Sequence, residues 1–149
     1  RVPGAVIHGE KPTKDYGILN KYETVQKGSG AAIIALGTFF GMGKQAAELI
    51  EKKTGVKPTL INPVYITGID EELLESLKKD HKAVITLEDG ILDGGFGEKI
   101  ARFYGDSDMR TVNFGLKKEF LDRYDANEVL RQNGITPEQI ADRAAELIK

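Results

Sequence analysis

The chain has 149 residues, with 21 basic and 23 acidic side chains, a net charge of −2 and no cysteine. A chain of this length fits one domain and buries about 68–70% of the surface of its unfolded form, so it can build a core without disulfides. The lack of thiols and the presence of only two histidines exclude thiolate metal sites and Cys/His nucleophile pairs. Without a long basic run or an apolar stretch of about 20 residues, we expect neither nucleic acid nor a membrane as a partner. A reducing, cytoplasmic setting fits this composition.

Residues 1–22 are predicted to form an extended lead-in, and residues 23–149 a single domain. The lead-in is rich in Pro, Gly, Lys and other charged residues and has no apolar period. Because the chain begins at Arg1 without Met, we expect it to be a fragment or a processed product. His8 in the lead-in and His81 between a helix and a strand are far from metal-ligand spacing, and both are predicted to be solvated.

From residue 24 onwards, predicted strands and helices alternate. The strands are expected at 24–27, 31–36, 57–62, 83–87 and 109–114, and helices at about 42–54, after Asp70 and at about 95–104. The continuous apolar run at 31–36 indicates a strand covered on both faces, and the alternation indicates a doubly wound α/β sheet. Two further helices are predicted to begin at capping boxes at 125–128 and 136–139.

The segment after the second predicted strand superficially resembles a phosphate-binding loop. Residues 37–45 open a helix, and a helix N-terminus attracts anions. The spacing to Gly43-Lys44 is one residue too long, however, and Gln45 stands where a Ser or Thr would hold magnesium. We interpret the segment as a tight strand-to-helix turn with close backbone packing, and turn N–H groups facing a neighbouring domain are the alternative.

The most distinctive segment is 88–97, where Glu88-Asp89 ends a strand and Gly94-Gly95-Phe96-Gly97 opens a helix. Open α/β sheets bind ligands at strand carboxyl ends. The glycines do not form G-x-G-x-x-G, and neither a nucleophile nor a base accompanies the carboxylates, so we predict no catalytic residue. We predict instead that Glu88 caps backbone donors. Glu88, Gly94, Gly95, Phe96 and Gly97 are predicted to lie at a contact with another domain or subunit, with Phe96 as an exposed anchor.

Together, these segments resemble the C-terminal domain of the transketolase family from about residue 28 to residue 149. Within the family, Asn113-Phe114-Gly115-Leu116 followed by Glu119-Phe120-Leu121 is most similar to the 1-deoxy-D-xylulose-5-phosphate synthase branch. Gly68-Ile69 departs from the Pro-Leu that is usual in that branch, and Arg1-Val2-Pro3-Gly4 resembles its Arg-Tyr-Pro-Arg-Gly with one arginine missing. Four motifs occur in the family's order: Ala35-Leu36-Gly37-Thr38; Ile61-Asn62-Pro63 with Asp70-Glu71-Glu72-Leu73-Leu74; Thr86-Leu87-Glu88-Asp89; and Gly94-Gly95-Phe96-Gly97.

The resemblance implies a three-layer α/β fold with a mostly parallel five-stranded sheet and one antiparallel strand. It also implies a homodimer in which this domain supports the active site of its own upstream domains without supplying it. The complete enzyme, and not this domain, would bind thiamine diphosphate and magnesium. It would transfer a two-carbon unit from pyruvate to glyceraldehyde 3-phosphate, for isoprenoid-precursor and thiamine biosynthesis. The missing arginine contacts substrate phosphate in the family, and Arg1 is the one candidate to replace it.

Other interpretations stay open at this point. The domain could belong to a transketolase or to the beta subunit of a 2-oxoacid dehydrogenase, because Gly94-Gly95-Phe96-Gly97 suits that branch equally. A stand-alone interaction or small-anion-binding module, using the turns at Gly37 and Gly94, is an alternative of another class.

Overall fold

A computed structural model describes residues 17–149. Arg1, His8 and most of the predicted lead-in lie outside the described residues. Each predicted strand and helix is present, with bounds that differ by a few residues. The strands are β1 (Glu23–Gln26), β2 (Gly30–Ala35), β3 (Thr59–Asn62), β4 (His81–Ile91) and β5 (Arg110–Leu116). A 3-10 turn (Gly37–Phe39) leads into α1 (Phe40–Thr54), and the other helices are α2 (Glu71–Leu77), α3 (Phe96–Phe103), α4 (Ala126–Gln132) and α5 (Pro137–Ile148).

The five strands form one sheet in the order β1-β3-β2-β4-β5. All neighbouring pairs are parallel except β1 with β3, which is antiparallel. Helices cover both faces of the sheet, so alternate residues of β2 belong to two separate cores. Ala31, Ile33 and Ala35 pack with residues of α1 and α5, whereas Ala32 and Ile34 pack with residues of α2 and α3. The expected three-layer architecture is thereby confirmed, and so is the double-sided burial of β2.

The parallel register brings three strand ends together at one edge of the sheet. Ile34 of β2 pairs with Ile61 of β3 on one side and with Thr86 of β4 on the other. The segments that follow these strands, at 36–38, 62–66 and 88–95, therefore leave the sheet side by side.

Side-chain caps begin three of the helices where the sequence predicts them. Asp70 accepts from the N–H of Leu73 at 3.2 Å, Asp125 from that of Glu128 at 2.9 Å, and Thr136 from that of Gln139 at 3.3 Å. The Glu128 carboxylate turns forward and accepts from Arg131 and Gln132, rather than back towards the cap as in a full capping box. These local signals stand at the predicted positions because a cap needs only residues within one helical turn.

The prediction that His81 is solvated is wrong. His81 is 9% exposed, and its Nε2 lies 2.8 Å from the Thr59 hydroxyl oxygen. Its Nδ1 lies 3.1 Å from the Leu77 carbonyl and 2.6 Å from the Asp80 carboxylate. The difference arises because β4 begins at His81 itself, two residues before the predicted strand, which brings this side chain into the sheet beside β3.

Tyr22, the last residue of the predicted lead-in, packs onto the domain. It is 9% exposed, and burial raises the pKa of its phenol. Its N–H donates to the Asp70 carboxylate at 3.0 Å, and its hydroxyl donates to the Gly68 carbonyl at 3.2 Å. The same Asp70 carboxylate that begins α2 therefore also fixes the entry of the chain into β1.

Candidate functional site

A groove of about 980 Å³ lies where β2, β3 and β4 end. The surface of the groove is mostly apolar, with charge from Glu88, Asp89 and Lys99. The lining comprises residues 36–38, 62–66, 88–89, 94–96 and 99. The position agrees with the expectation of a site at the strand carboxyl ends. Of the predicted interface residues, Glu88, Gly94, Gly95 and Phe96 line the groove. Gly97 lies behind it, where an added Cβ would come within 2.6 Å of the Thr86 hydroxyl oxygen.

Glu88 fixes one wall of the groove. Its side chain is buried, and its two oxygens accept from the N–H groups of Phe96 at 2.8 Å and Gly97 at 3.0 Å. The predicted capping role of Glu88 is therefore confirmed. The N-cap residue of α3, Gly95, has no side chain of its own to offer, so a strand residue supplies the cap and places a negative charge at the helix N-terminus. A Cβ at Gly95 would lie 2.5 Å from a Glu88 oxygen, which explains the glycine.

Phe96 is not the exposed anchor that the sequence predicts. It is 5% exposed, comparable with the core residue Phe39 at 7%, and its ring centroid lies 6.3 Å from that of Tyr22. The first turn of α3 is drawn onto the end of β4 by Glu88, which turns Phe96 towards the core shared with α2. The prediction that Phe96 is an exposed anchor is therefore wrong. The predicted contact of the neighbouring glycines with another domain or subunit stays a prediction.

The opposite wall is the loop after β3, where the sequence indicated only Asn62 and Pro63, as part of a family motif. Val64 has a φ of +60°, and the N–H of Tyr65 donates to the carbonyl of Pro63 at 2.5 Å. An i to i+2 bond around a residue with positive φ defines a γ-turn of the rare, strained kind, and Val64 is β-branched. Asn62 stabilises the turn by accepting from the N–H of Val64 at 3.1 Å. Asn62-Pro63 stands at the end of the predicted strand 57–62 and within a family motif, but neither signal predicts the turn at Val64.

Lys99 joins the two walls. It lies on α3, and its ammonium donates to the carbonyl of Ile66 at 2.8 Å, with a second contact of 3.5 Å to that of Thr67. The groove is therefore bordered by two segments whose backbones are held by named side chains, Glu88 on one and Lys99 on the other.

The turn after β2 closes the groove at its base. Gly37 has a φ of +48°, and a Cβ at Gly43 would lie 2.7 Å from that of Ala35. The interpretation as a tight turn with close backbone packing is confirmed.

Among the residues that the structure describes, the two carboxylates that line the groove, Glu88 and Asp89, do not belong to a cluster of three or more metal-ligating side chains. Both oxygens of Glu88 already accept backbone N–H groups, and residues 17–149 contain no group of three or more side chains that could hold a metal ion. Within the same range, no helix is both long and apolar enough to cross a membrane.

Comparison with known proteins decides the family. Residues 20–140 match the model of the transketolase C-terminal domain. The chain belongs to the transketolase C-terminal domain family. It is 33% identical to a 1-deoxy-D-xylulose-5-phosphate synthase of Symbiobacterium thermophilum over 132 residues, and 30% identical to one of Shouchella clausii over the same length. In both cases the match covers 87% of this chain.

Solved structures show the same fold. A split-gene transketolase described as an inactive beta4 tetramer superposes with a TM-score of 0.79 at 22% identity, covering 97% of this chain and 47% of that one. A transketolase from Pichia stipitis gives a TM-score of 0.59 at 21% identity, with 87% and 18% covered. The chain spans only 20% and 21% of the two synthases, so it corresponds to about a fifth of those proteins.

Proposed function

We propose that this chain is the C-terminal domain of a thiamine-diphosphate-dependent transferase of the 1-deoxy-D-xylulose-5-phosphate synthase type. The observation that carries the proposal is the match of 87% of the chain to about a fifth of the synthases, at up to 33% identity. Its role is to support the assembly of the upstream domains and of the homodimer, and it is inactive alone.

The geometry of the groove supports a role in assembly. Its carboxylate Glu88 is used to hold the backbone of α3, and its cation Lys99 holds the backbone of the facing loop. Two of its three charged groups, Glu88 and Lys99, therefore shape the walls of the groove. Thiamine diphosphate and magnesium are assigned to the other domains of the enzyme, where the cofactor supplies the chemistry of two-carbon transfer.

The test uses the Symbiobacterium thermophilum synthase from which its own C-terminal domain has been removed. We expect this truncated synthase and the chain each to be inactive with pyruvate and glyceraldehyde 3-phosphate, and a mixture of the two to form 1-deoxy-D-xylulose 5-phosphate. Turnover by the purified chain alone would contradict the proposal. Carboligation without a lipoyl partner would exclude the alternative of a 2-oxoacid dehydrogenase beta subunit.

A further inference from the structure

Ile66 is an exposed aliphatic side chain on a loop whose backbone is held on both sides. It is 57% exposed, and the strained γ-turn at Val64 precedes it. Its own carbonyl accepts from Lys99 at 2.8 Å, and the next residue, Thr67, donates to the Asn20 side chain at 3.0 Å. A side chain presented from a preorganised backbone loses little further freedom when it is buried by a partner.

The chain enters the domain beside this loop, and it brings two more exposed aliphatic side chains. Ile18 is 68% exposed and Leu19 is 70% exposed. Asn20, which follows them, has a φ of +59° and joins the entry segment to Thr67. The entry segment and the loop are also in close contact at Gly68, where a Cβ would lie 2.4 Å from the Asn20 side chain. Ile18 and Leu19 are therefore exposed aliphatic side chains on a segment that is hydrogen-bonded, through Asn20, to the residue after Ile66.

The wall that faces this loop, formed by the end of β4 and the start of α3, carries a negative charge. Asp89 lines that wall and is exposed, and Asp93 and Glu98 are exposed in the turn and the helix start that flank it. These three carboxylates outnumber the one ammonium beside them, that of Lys99, which donates to the Ile66 carbonyl. A partner that covers Ile66 therefore meets an apolar centre with acidic side chains at its rim, and a surface with a basic rim is complementary to it.

We infer that Ile66 is the anchor by which this groove docks onto the thiamine-diphosphate-binding part of the enzyme, through an apolar surface of that part with a basic rim. The inference rests on the proposed function, because it names the partner of the same groove. That partner is favoured because Asn20, near the start of the described chain, is hydrogen-bonded to Thr67 beside Ile66, so an upstream domain joined through the lead-in is covalently linked to the segment that contacts this loop.

The experiment measures the binding of the full chain to the truncated Symbiobacterium thermophilum synthase, together with restored carboligation. The test variant is Ile66→Asp. The matched control is Phe120→Asp, since Phe120 is 96% exposed and lies outside the residues that line the groove. Both side chains are exposed, so we expect both variants to keep the thermal midpoint of the parent chain.

We expect Ile66→Asp to weaken binding at least about tenfold, as truncation of a central anchor does. Phe120→Asp should stay within about twofold of the parent, as a substitution outside the interface does. Binding by Ile66→Asp within twofold of the parent, or equal losses in both variants, would overturn the inference, and so would the lack of saturable binding by the parent. A further outcome separates the two proposals: the parent chain binds saturably, Ile66→Asp abolishes this binding, and carboligation is not restored. This outcome would support the docking site and refute the synthase function. Restored carboligation that Ile66→Asp leaves intact would refute the docking site alone.

Discussion

Glu88 is a buried carboxylate that would be costly without partners. Each of its oxygens accepts one backbone N–H at the start of α3, so the charge meets two donors and the positive end of the helix. The glycine wall of the groove therefore depends on a single side chain of β4. A Cβ at Gly95 would clash with this carboxylate. The glycine is therefore needed for packing within the domain, whether or not it also contacts another domain.

We predict that Glu88→Gln lowers the free energy of unfolding by about 1–3 kcal/mol. Glutamine keeps one acceptor oxygen, but its NH2 group would face the other backbone N–H. Asp93→Asn is the matched control, because Asp93 is exposed in the adjacent turn and should change stability by less than about 0.5 kcal/mol. Urea denaturation of both variants measures the difference, and equal changes would show that the two hydrogen bonds contribute little.

At Val64, we predict that glycine and alanine substitutions have the reverse of their usual order of stability. A residue with a Cβ at positive φ costs about 1–2 kcal/mol, a cost that glycine does not carry. We therefore expect Val64→Gly to be more stable than Val64→Ala by about 1 kcal/mol, after the greater chain entropy of glycine is included. Chemical denaturation of the two variants checks this order. Greater stability of the alanine variant would show that Val64 is unstrained in solution.

At the scale of elements, the packing of α1 on β2 depends on Gly43. A Cβ there would lie 2.7 Å from that of Ala35, whereas a Cβ at Gly41 of the same helix meets nothing within 4 Å. We predict that Gly43→Ala destabilises the protein by about 1–3 kcal/mol through overpacking. Gly41→Ala should stabilise it by about 0.5–1 kcal/mol, through helix propensity alone. The two thermal midpoints provide the measurement, and a loss in both variants would mean that the start of α1 requires glycine for another reason.

Helix α4 is supported by an ion pair that titrates in acid. Hydrogen bonds from Arg131 and then Gln132 lower the pKa of Glu128 to about 2, from an ordinary value of 4.5. Because the folded pKa is the lower one, the carboxylate contributes stability above about pH 4.5, and this contribution is lost as the pH falls towards 2. The pair is solvent-exposed, so the contribution is small.

We therefore predict that Glu128→Gln is less stable than the parent chain at neutral pH, and that the two converge as the pH approaches 2. Urea titrations at a series of pH values give the difference in free energy of unfolding at each pH. The comparison with the variant isolates Glu128 from the other carboxylates, which titrate in both proteins. A difference that does not change with pH would contradict the assignment.

For the whole molecule, both cores share the strands β2 and β4. Ile33 and Ile85 belong to the core with α1 and α5, and Ile34 and Val84 to the core with α2 and α3. Neither helical layer can therefore separate without exposing a face of the same sheet. We predict a single cooperative thermal transition for the chain, with equal calorimetric and van't Hoff enthalpies. Two resolved transitions would show that the layers unfold independently.

Much of the fold could be predicted because its signals are local. The buried run of β2 and the caps at Asp70, Asp125 and Thr136 each depend on residues close together in the chain, and each stands at the predicted place. The capping role of Glu88 was also predictable, since a carboxylate at a strand end preceded a helix start that lacks a side-chain cap.

The position of the groove, the layered sheet and the helix starts were determined by the sequence itself, through apolar period, glycine placement and capping residues. Only the tertiary structure decided which side chains face the groove. Phe96 turns inward because Glu88 draws α3 onto β4, and His81 is buried because β4 begins beside β3. Ile66 is exposed on a strained loop that Lys99 and Asn20 hold from other parts of the chain. The contacts of His81, Lys99 and Asn20 join residues more than 20 positions apart, so no local pattern in the sequence contains them. Glu88 and Phe96 are only 8 positions apart, and there the tertiary structure decided that the ring of Phe96 packs into the core shared with α2.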